Sequence, residues 1–405
     1  MSGLVTVRSP APYIPFFNTL IIQESAIRMS VKEKKVELIE LFYDLIYVYA
    51  ISNMTLLLEK PEEGILTGDM FATYIVASMV IIQAWLYMTN YINRYCTWRW
   101  YEYTLVVLNM SAAIFMSNTI TSSWAEAGFT FEVAMMIMIG CVAALYMIQV
   151  YVQKQDTTVA KHTLEILFLI LAIYVISMIL TLVGYTEEAL MVNTFNIILG
   201  MLLPFIKKGE YDLKIVSFPH LVERLELLTI ITFGEGIVGI TVFFDIREAT
   251  LTPMLTFLIL IFMFGTYVCQ VHYLCNHHQV TNPNKMTWSH YLIIIAVNLV
   301  TVAFLYFHSE EADHLFTAGL MIGSIAAFYI ALFSTSWYYH PEFERTWKDI
   351  GVMMLFIAIG ALVIFGFMDS PYGFLVGSAI ATGGNFFYLW RKYTSNRCIN
   401  VIHTV

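Results

Sequence analysis

The stretch "VELIELFYDLIYVYAIS", Val36–Ser52, combines a strongly apolar composition with three acidic side chains. Glu37, Glu40 and Asp44 follow one another at helical spacing, so in an α-helix they share one face. A charged side chain at the centre of a bilayer costs about 2.5–3.5 kcal/mol on the insertion scale. We therefore expect this acidic face to turn away from lipid and towards other helices.

The composition of the whole chain places it in the membrane. Of its 405 residues 59% are hydrophobic and 13% are charged, and the mean hydropathy is +0.71. Soluble domains carry about 25% charged residues. The formal net charge is -9 and no basic block is present, so the sequence gives no indication of a nucleic-acid partner. These values indicate an integral membrane protein whose first partner is the lipid bilayer.

Apolar runs of about 20 residues, the length that crosses the hydrocarbon core, recur along the chain. They lie at 36–58, 70–93, 102–122, 130–152, 162–184, 187–206, 218–244, 250–275, 287–308, 313–337, 348–367 and 371–391. The connections between them are short. The sequence therefore predicts an all-α integral membrane protein with twelve transmembrane helices.

Loop charges predict the orientation of these spans. When the N-terminus is placed in the cytoplasm, the outer loops hold only Lys60 and Arg247 as cations. The remaining loop lysines and arginines then fall on the inner side, as the positive-inside rule requires. We expect a multi-pass plasma membrane protein with both termini in the cytoplasm.

The opening stretch has a partner later in the chain, "VERLELLTIITFGEGIVGIT" from Val222. Aligned without gaps, Val36, Glu37, Glu40, Leu41, Ile51 and Thr55 meet Val222, Glu223, Glu226, Leu227, Ile237 and Thr241. Repeats with an even number of spans are parallel, and repeats are common in transporters. We predict an N-terminal tail at 1–35, a six-helix repeat at 36–206, a cytoplasmic linker at 207–217, a second parallel six-helix repeat at 218–391 and a cytoplasmic tail at 392–405.

The two stretches also resemble a known family. "ELIELFYDLIYVYAIS" is similar to the opening signature of the bacterial low temperature requirement A family, and "HLVERLELLTIITFGEGIVGI" resembles its second signature. The second match rests on His220, the Glu223–Arg224 pair and Gly234–Glu235. The resemblance implies a polytopic protein of the bacterial plasma membrane, linked by its name to growth in the cold. It implies no particular biochemical activity.

A shorter pattern resembles the lysosomal potassium channel family. Its members are Phe42, Asp44, Tyr47, Ala50, Ile51 and Ser52, which match the first-helix signature of those channels. That family uses six-helix repeats and lines its pore with the first helix of each. The second repeat here departs from the pattern, because Ile230 stands where the first repeat has Asp44.

The acids of the first span have different expected environments. Glu37 and Glu40 lie in its first turns, where acids suit the positive end of the helix dipole and lie near headgroup water. Asp44 lies about 10 Å further along the axis than Glu37. At that depth a carboxylate needs a polar partner, and a functional role and a structural hydrogen bond are both open.

The seventh span contains the second set of ionisable residues. Glu235 lies in mid-span between two glycines, which allow another helix to approach closely. Arg224 is eleven residues earlier, about three turns away, and is too far to pair with Glu235. We expect Arg224 to contact a first-helix acid, Glu40 or Glu37.

These patterns favour transport of a small cation, a proton or a proton-coupled solute. Asp44 and Glu235 are the predicted pathway residues. A cytoplasmic entrance or structural ion pairs are predicted from Glu37, Glu40, His220, Glu223 and Arg224. The alternatives are a membrane-embedded enzyme or a lipid- or isoprenoid-binding protein, and a small-molecule sensor without turnover.

Other chemistry has little support in the sequence. No phosphate-binding loop or catalytic motif is recognisable, so no catalytic residue is assigned; the sequence leans against an enzyme and leaves the question open. Cys275, His277 and His278 form a suggestive "CNHH" segment, but no second cluster accompanies them and no metal site is predicted. The five cysteines are expected to be buried free thiols. The cofactor, the transported species and any homo-oligomer remain unspecified.

Overall fold

A computed structural model describes residues 32–119, 124–154, 157–206, 215–244, 251–343, 346–367 and 370–403. Within these ranges the chain forms twelve α-helices and no β-strand. Most of the predicted N-terminal tail, residues 1–31, and most of the predicted linker, residues 207–214, lie outside the described residues. The all-α fold class is confirmed.

The twelve helices follow the predicted apolar runs. They are α1 Leu38–Thr55, α2 Gly68–Tyr95, α3 Trp100–Thr119, α4 Trp124–Ile148, α5 Thr157–Val183, α6 Thr186–Ile206, α7 Phe218–Ile240, α8 Thr252–Tyr267, α9 Asn284–Phe307, α10 His314–Ser334, α11 Trp347–Gly366 and α12 Pro371–His403. Short π-helical segments extend α4 over Gln149–Gln153 and α8 over Val268–Leu274. The last helix continues past the predicted end at residue 391 into the predicted tail.

Eight helical segments in the described residues are long and apolar enough to cross a membrane. They correspond to α1, α2, α4, α5, α8, α9, α10 and α11. Among the other four, α7 contains Glu223, Arg224, Glu226 and Glu235, which reduce its apolar character. The protein is thus a polytopic membrane protein, and twelve crossings remain a prediction.

The centre of the assembly is formed by the first helices of the two predicted halves and by α9. Helix α1 packs against α2, α3 and α7, while α7 packs against α8 and α9. In an apolar stretch of 18 residues within α9, 83% of the stretch is buried, so this helix is surrounded by protein along most of its length. Buried polar groups on α1 and α7 are therefore enclosed by other helices and not by lipid.

Helices α11 and α12 cross at two glycines whose backbones touch. A Cβ atom added at Gly360 would lie 2.6 Å from the Gly377 carbonyl oxygen and 2.7 Å from the Ala381 Cβ. We expect Gly360→Ala to destabilise the protein by about 1–3 kcal/mol, because the two helices must separate. The midpoint of thermal unfolding in detergent measures this effect.

Gly351 supplies the matched control on the same helix. A Cβ atom there would meet no atom within 4 Å. Gly351→Ala is expected to be neutral or stabilising, by up to about 1 kcal/mol, because alanine favours the helix. Equal unfolding midpoints for the two variants would show that the crossing is not tight.

Candidate functional site

Four ionisable side chains meet between α1 and α7. Glu40 and Asp44 come from α1, and His220 and Arg224 come from α7; all four are 0% exposed. Glu40 faces His220, and Asp44 faces Arg224, four residues later on both helices. Because the residue numbers increase in the same direction along the two helices, α1 and α7 run parallel. We call this group the buried charge cluster.

Arg224 bridges both acids of α1. Its Nε donates to Asp44 Oδ2 at 3.0 Å, and its second terminal nitrogen donates to Asp44 Oδ1. Its Nη1 donates to Glu40 Oε2 at 3.3 Å. The predicted contact between Arg224 and a first-helix acid is confirmed, with Glu40 as one of the two partners expected. Asp44 forms the closer, two-pronged pair, the geometry that suits a guanidinium and a carboxylate best.

Aromatic side chains enclose this pair. Trp85 on α2 donates its indole N–H to Asp44 Oδ1 at 2.7 Å. The Arg224 guanidinium carbon lies 5.5 Å from the Trp85 ring centroid and 5.6 Å from the Tyr43 ring centroid. Contacts of this kind stabilise a desolvated cation by about 2 kcal/mol. The indole N–H and the two aromatic rings thus hold the Asp44 carboxylate and the Arg224 guanidinium in place.

The protonation of His220 follows from its neighbour Asn93 on α2. The backbone N–H of Ser217 donates to Asn93 Oδ1 at 3.0 Å, and Asn93 Nδ2 donates to the Ser217 carbonyl at 2.8 Å, which fixes the amide orientation. Asn93 Nδ2 also lies 3.0 Å from His220 Nδ1. Because an amide nitrogen only donates, this contact makes Nδ1 the acceptor, which corresponds to the tautomer with its proton on Nε2. That nitrogen lies 2.8 Å from Glu40 Oε2.

With both carboxylates ionised and His220 neutral, the buried charge cluster holds one more negative charge than positive charge. Two carboxylates face one guanidinium, and the neutral His220 adds nothing. Lys34, just before α1, lies within electrostatic range of Glu40, and its ammonium donates to the Cys96 carbonyl at 3.2 Å. Burial lowers the pKa of Lys34, and the carboxylates of Glu40 and Glu102 oppose that shift only in part.

A recess of about 430 Å³ lies beside the buried charge cluster, and its walls include Lys34, Asn93, Arg99 and Glu102. Asn93 is 2% exposed and touches both the recess and His220. One side chain thus separates the space of the recess from the imidazole.

The predicted pathway residue Glu235 lies further along the same helix pair. Ser52 on α1 donates to Glu235 Oε2 at 3.4 Å, and Glu235 is partly exposed. Ser52 is eight residues beyond Asp44, about 12 Å along the axis. The structure therefore does not bring Asp44 and Glu235 into one site. A Cβ atom at Gly236 would lie 3.0 Å from Thr301 Oγ1, so helix α9 approaches closely at Gly236.

The remaining predicted residues lie outside the buried charge cluster. Glu37 and Glu223 are exposed at the N-terminal ends of α1 and α7. The sequence analysis missed Trp85 and Asn93, which complete the cluster from α2. Asn93 could have been noticed as an amide at the end of a predicted span, whereas a tryptophan in an apolar run gives no such signal.

The "CNHH" segment makes ordinary hydrogen bonds in the structure. Cys275 Sγ donates to the Thr335 carbonyl at 3.4 Å, and His277 Nε2 lies 2.8 Å from the Val271 carbonyl. In the part of the chain that the structure describes, no group of three or more His, Cys, Asp or Glu side chains is arranged to hold a metal ion.

Comparison with known proteins places the chain in a family. The family model described as "Bacterial low temperature requirement A protein (LtrA)" matches residues 35–382, most of the chain and both predicted halves. No curated protein and no solved structure matches the chain.

Proposed function

This chain belongs to the bacterial low temperature requirement A family, and for this member we propose a function in membrane transport of a small cation or proton. The observation that carries the proposal is the buried charge cluster between α1 and α7. An excess buried charge costs free energy unless a cation or a proton compensates it. His220 can accept that proton on Nδ1 when the Asn93 amide that donates to this nitrogen turns away.

The proposed path runs between the two predicted halves, along the α1–α7 pair. In this arrangement the bonds from Arg224 to Glu40 and Asp44 close the N-terminal end of the path, while Glu235 and Ser52 lie nearer its other end. A proton on His220 would neutralise the excess charge and weaken the hold of Arg224 on Glu40. The buried charge cluster would then act as a proton-dependent gate, with Asp44 and Glu235 as the carboxylates met by the moving ion.

The pairing of helices supports the proposal that 36–206 and 218–391 are parallel repeats. The contacts α1–α3, α3–α4, α5–α6 and α2–α6 recur as α7–α9, α9–α10, α11–α12 and α8–α12. The parallel course of α1 and α7 fits an axis along the membrane normal.

We further propose twelve crossings in the bacterial plasma membrane with both termini in the cytoplasm. Superposition of the halves in an experimental map, and cysteine accessibility from each side, test these proposals.

Glu40→Gln tests the gate directly. In reconstituted vesicles, the wild-type flux of cations or protons is expected to depend on pH, by up to about tenfold per unit for a single titrating proton. Glu40→Gln removes the excess charge, so its flux should lose this dependence while the protein stays folded. Flux measured across a pH series, with monodispersity checked by gel filtration, gives the result.

Glu223→Gln is the matched control, because Glu223 is exposed and adjoins Arg224 on α7. Its flux and pH dependence should equal those of the wild type. An unchanged pH profile in Glu40→Gln would remove the gate from the proposal. Vesicles without cation or proton flux in the wild-type protein would reject transport itself.

A groove supports lipid or isoprenoid binding as the second candidate function. It has a volume of about 690 Å³ and is lined mainly by α9, the end of α10 and Leu202 of α6. Lys285 Nζ lies 3.9 Å from the Trp337 ring centroid in its wall, next to apolar Leu292. A cation beside apolar and aromatic surface suits an anionic lipid headgroup and its chain.

Native mass spectrometry should then detect a lipid bound to the wild-type protein that is lost in Trp337→Leu. An equal lipid content in both proteins would reject this candidate.

A further inference from the structure

A second buried carboxylate lies within the first predicted half, away from the α1–α7 pair. Glu132 on α4 is 0% exposed, and three neutral donors converge on its Oε1 atom. They are the hydroxyl of Ser177 at 2.6 Å, the hydroxyl of Thr181 at 3.0 Å and the amide Nδ2 of Asn193 at 2.9 Å. The donors come from α5 and α6, so Glu132 joins three helices.

The other side of this carboxylate is unsatisfied. Glu132 Oε2 and Asn193 Oδ1 are both buried, and neither has a hydrogen-bond partner in the described part of the chain. Asn193 is 1% exposed, so these oxygens face the protein interior and not bulk water. No Lys, Arg or His among the described residues forms an ion pair with Glu132. Buried acceptors without partners are rare, because each loses its hydration without gaining a hydrogen bond.

We propose that Glu132 is the anionic ligand of a binding site for a monovalent cation, with Asn193 Oδ1 as a neutral ligand. All groups available to a cation here are oxygens: the carboxylate, the amide carbonyl and the lone pairs of the Ser177 and Thr181 hydroxyls. Oxygen ligands suit hard cations and do not suit soft transition metals.

The charge of the site selects the valence of its ligand. As a carboxylate, Glu132 supplies one negative charge, and its neighbours are neutral: the Ser177 and Thr181 hydroxyls, the Asn193 amide and the buried Tyr174 phenol of α5, which lies within electrostatic range of Glu132. A single positive charge makes the site neutral, whereas a divalent ion would leave a buried positive charge, which is costly. Sodium and the proton share this chemistry, since either places one positive charge on the unsatisfied oxygens. The inference does not depend on the transport proposal, because it concerns one half of the molecule alone.

The experiment has one arm for each ion. In the sodium arm, radioactive sodium binding to the purified full-length protein is measured in NaCl diluted with choline chloride. In the proton arm, infrared difference spectra follow the carboxylic acid band of Glu132 across a pH series. Glu132→Gln is the test variant, and Glu188→Gln, with its exposed carboxylate, is the matched control. Asn193→Ala is the second variant, and it carries the test alone if Glu132→Gln does not fold.

Sodium binding that falls to background in Glu132→Gln, and at least several-fold in Asn193→Ala, supports the site with sodium as its ion. A carboxylic acid band that titrates with pH in the wild type and is absent in Glu132→Gln supports the site with the proton as its ion. Sodium binding that both variants retain, together with a carboxyl band that does not titrate, would overturn the proposal. Glu132 would then be a permanent structural acceptor. Full binding in Glu188→Gln is required for either supporting result.

Discussion

Replacing Arg224 with methionine is expected to destabilise the protein by about 3–5 kcal/mol, because it leaves Glu40 and Asp44 buried without their cation. Arg224 is 0% exposed and supplies hydrogen bonds to both acids. Methionine keeps much of the side-chain volume, so the loss reports charge and hydrogen bonding and not a cavity. The midpoint of thermal unfolding in detergent, with the yield of monodisperse protein, measures it.

A double variant separates the pair from its surroundings. Arg224→Met combined with Asp44→Leu removes the closest charges together, and replacing a buried ion pair by apolar groups is often neutral. The double variant should therefore recover part of the stability lost in Arg224→Met. Glu223→Gln, one residue away and exposed, should match the wild type. If Arg224→Met unfolds at the wild-type midpoint, the buried charge cluster does not stabilise the fold as drawn here.

Glu235→Gln is expected to abolish cation- or proton-dependent flux in reconstituted vesicles, because the proposed path requires a carboxylate at this position. Among the described residues, the Ser52 hydroxyl donates a hydrogen bond to the Glu235 carboxylate. The carbonyl oxygen of a glutamine can accept the same bond, so folding should be preserved. Asp44→Asn is expected to abolish flux as well, but it also weakens the pair with Arg224. Glu235→Gln is therefore the cleaner measurement of transport.

The two variants divide the possible outcomes. Loss of flux in Glu235→Gln with an unchanged unfolding midpoint supports a role in the path. Wild-type flux in both variants would falsify the transport mechanism and favour the lipid-binding or sensor alternatives. Ser52→Ala is a useful companion, because it removes the described partner of Glu235 and keeps the carboxylate.

Helix positions were largely predictable, because membrane length and apolar runs constrain them tightly. The predicted span 36–58 corresponds to α1 and its short 3₁₀ extension to Leu58, and the predicted span 70–93 corresponds to the observed helix Gly68–Tyr95. The end of α12 was less predictable. Its apolar run stops near residue 391, but the backbone continues as helix to His403, because hydropathy marks the apolar part of a helix and not its end.

The partners of Arg224 were predictable only in part. Gapless alignment of the two stretches places Arg224 opposite residue 38, yet it pairs with Asp44, six residues or about 9 Å further along α1. A sequence alignment contains no information about the axial shift between two packed helices. Glu40 was expected because two aligned helices that start on the same side of the membrane bring their cytoplasmic ends together, whereas the tighter bond to Asp44 required the coordinates.

The residues missed by the sequence analysis share one property: their partners lie on other helices. Glu132 falls two residues inside the run at 130–152, where it reads as an interfacial acid. Its burial depends on Ser177, Thr181 and Asn193, which lie more than forty residues later. The four-residue spacing of Ser177 and Thr181 was the signal available, since it places two hydroxyls on one helical face.

The separation between Arg224 and Asp44 also sets an order of events during synthesis. The two residues are 180 positions apart, so at about 5–20 residues per second the ribosome needs roughly 10–40 s to deliver the arginine after the aspartate. Throughout that interval the newly inserted first half holds two carboxylates whose cation has not yet been translated. A nascent chain that stalls before α7 would therefore present an unneutralised helix to the lipid, a feature by which membrane quality control could recognise an unfinished copy.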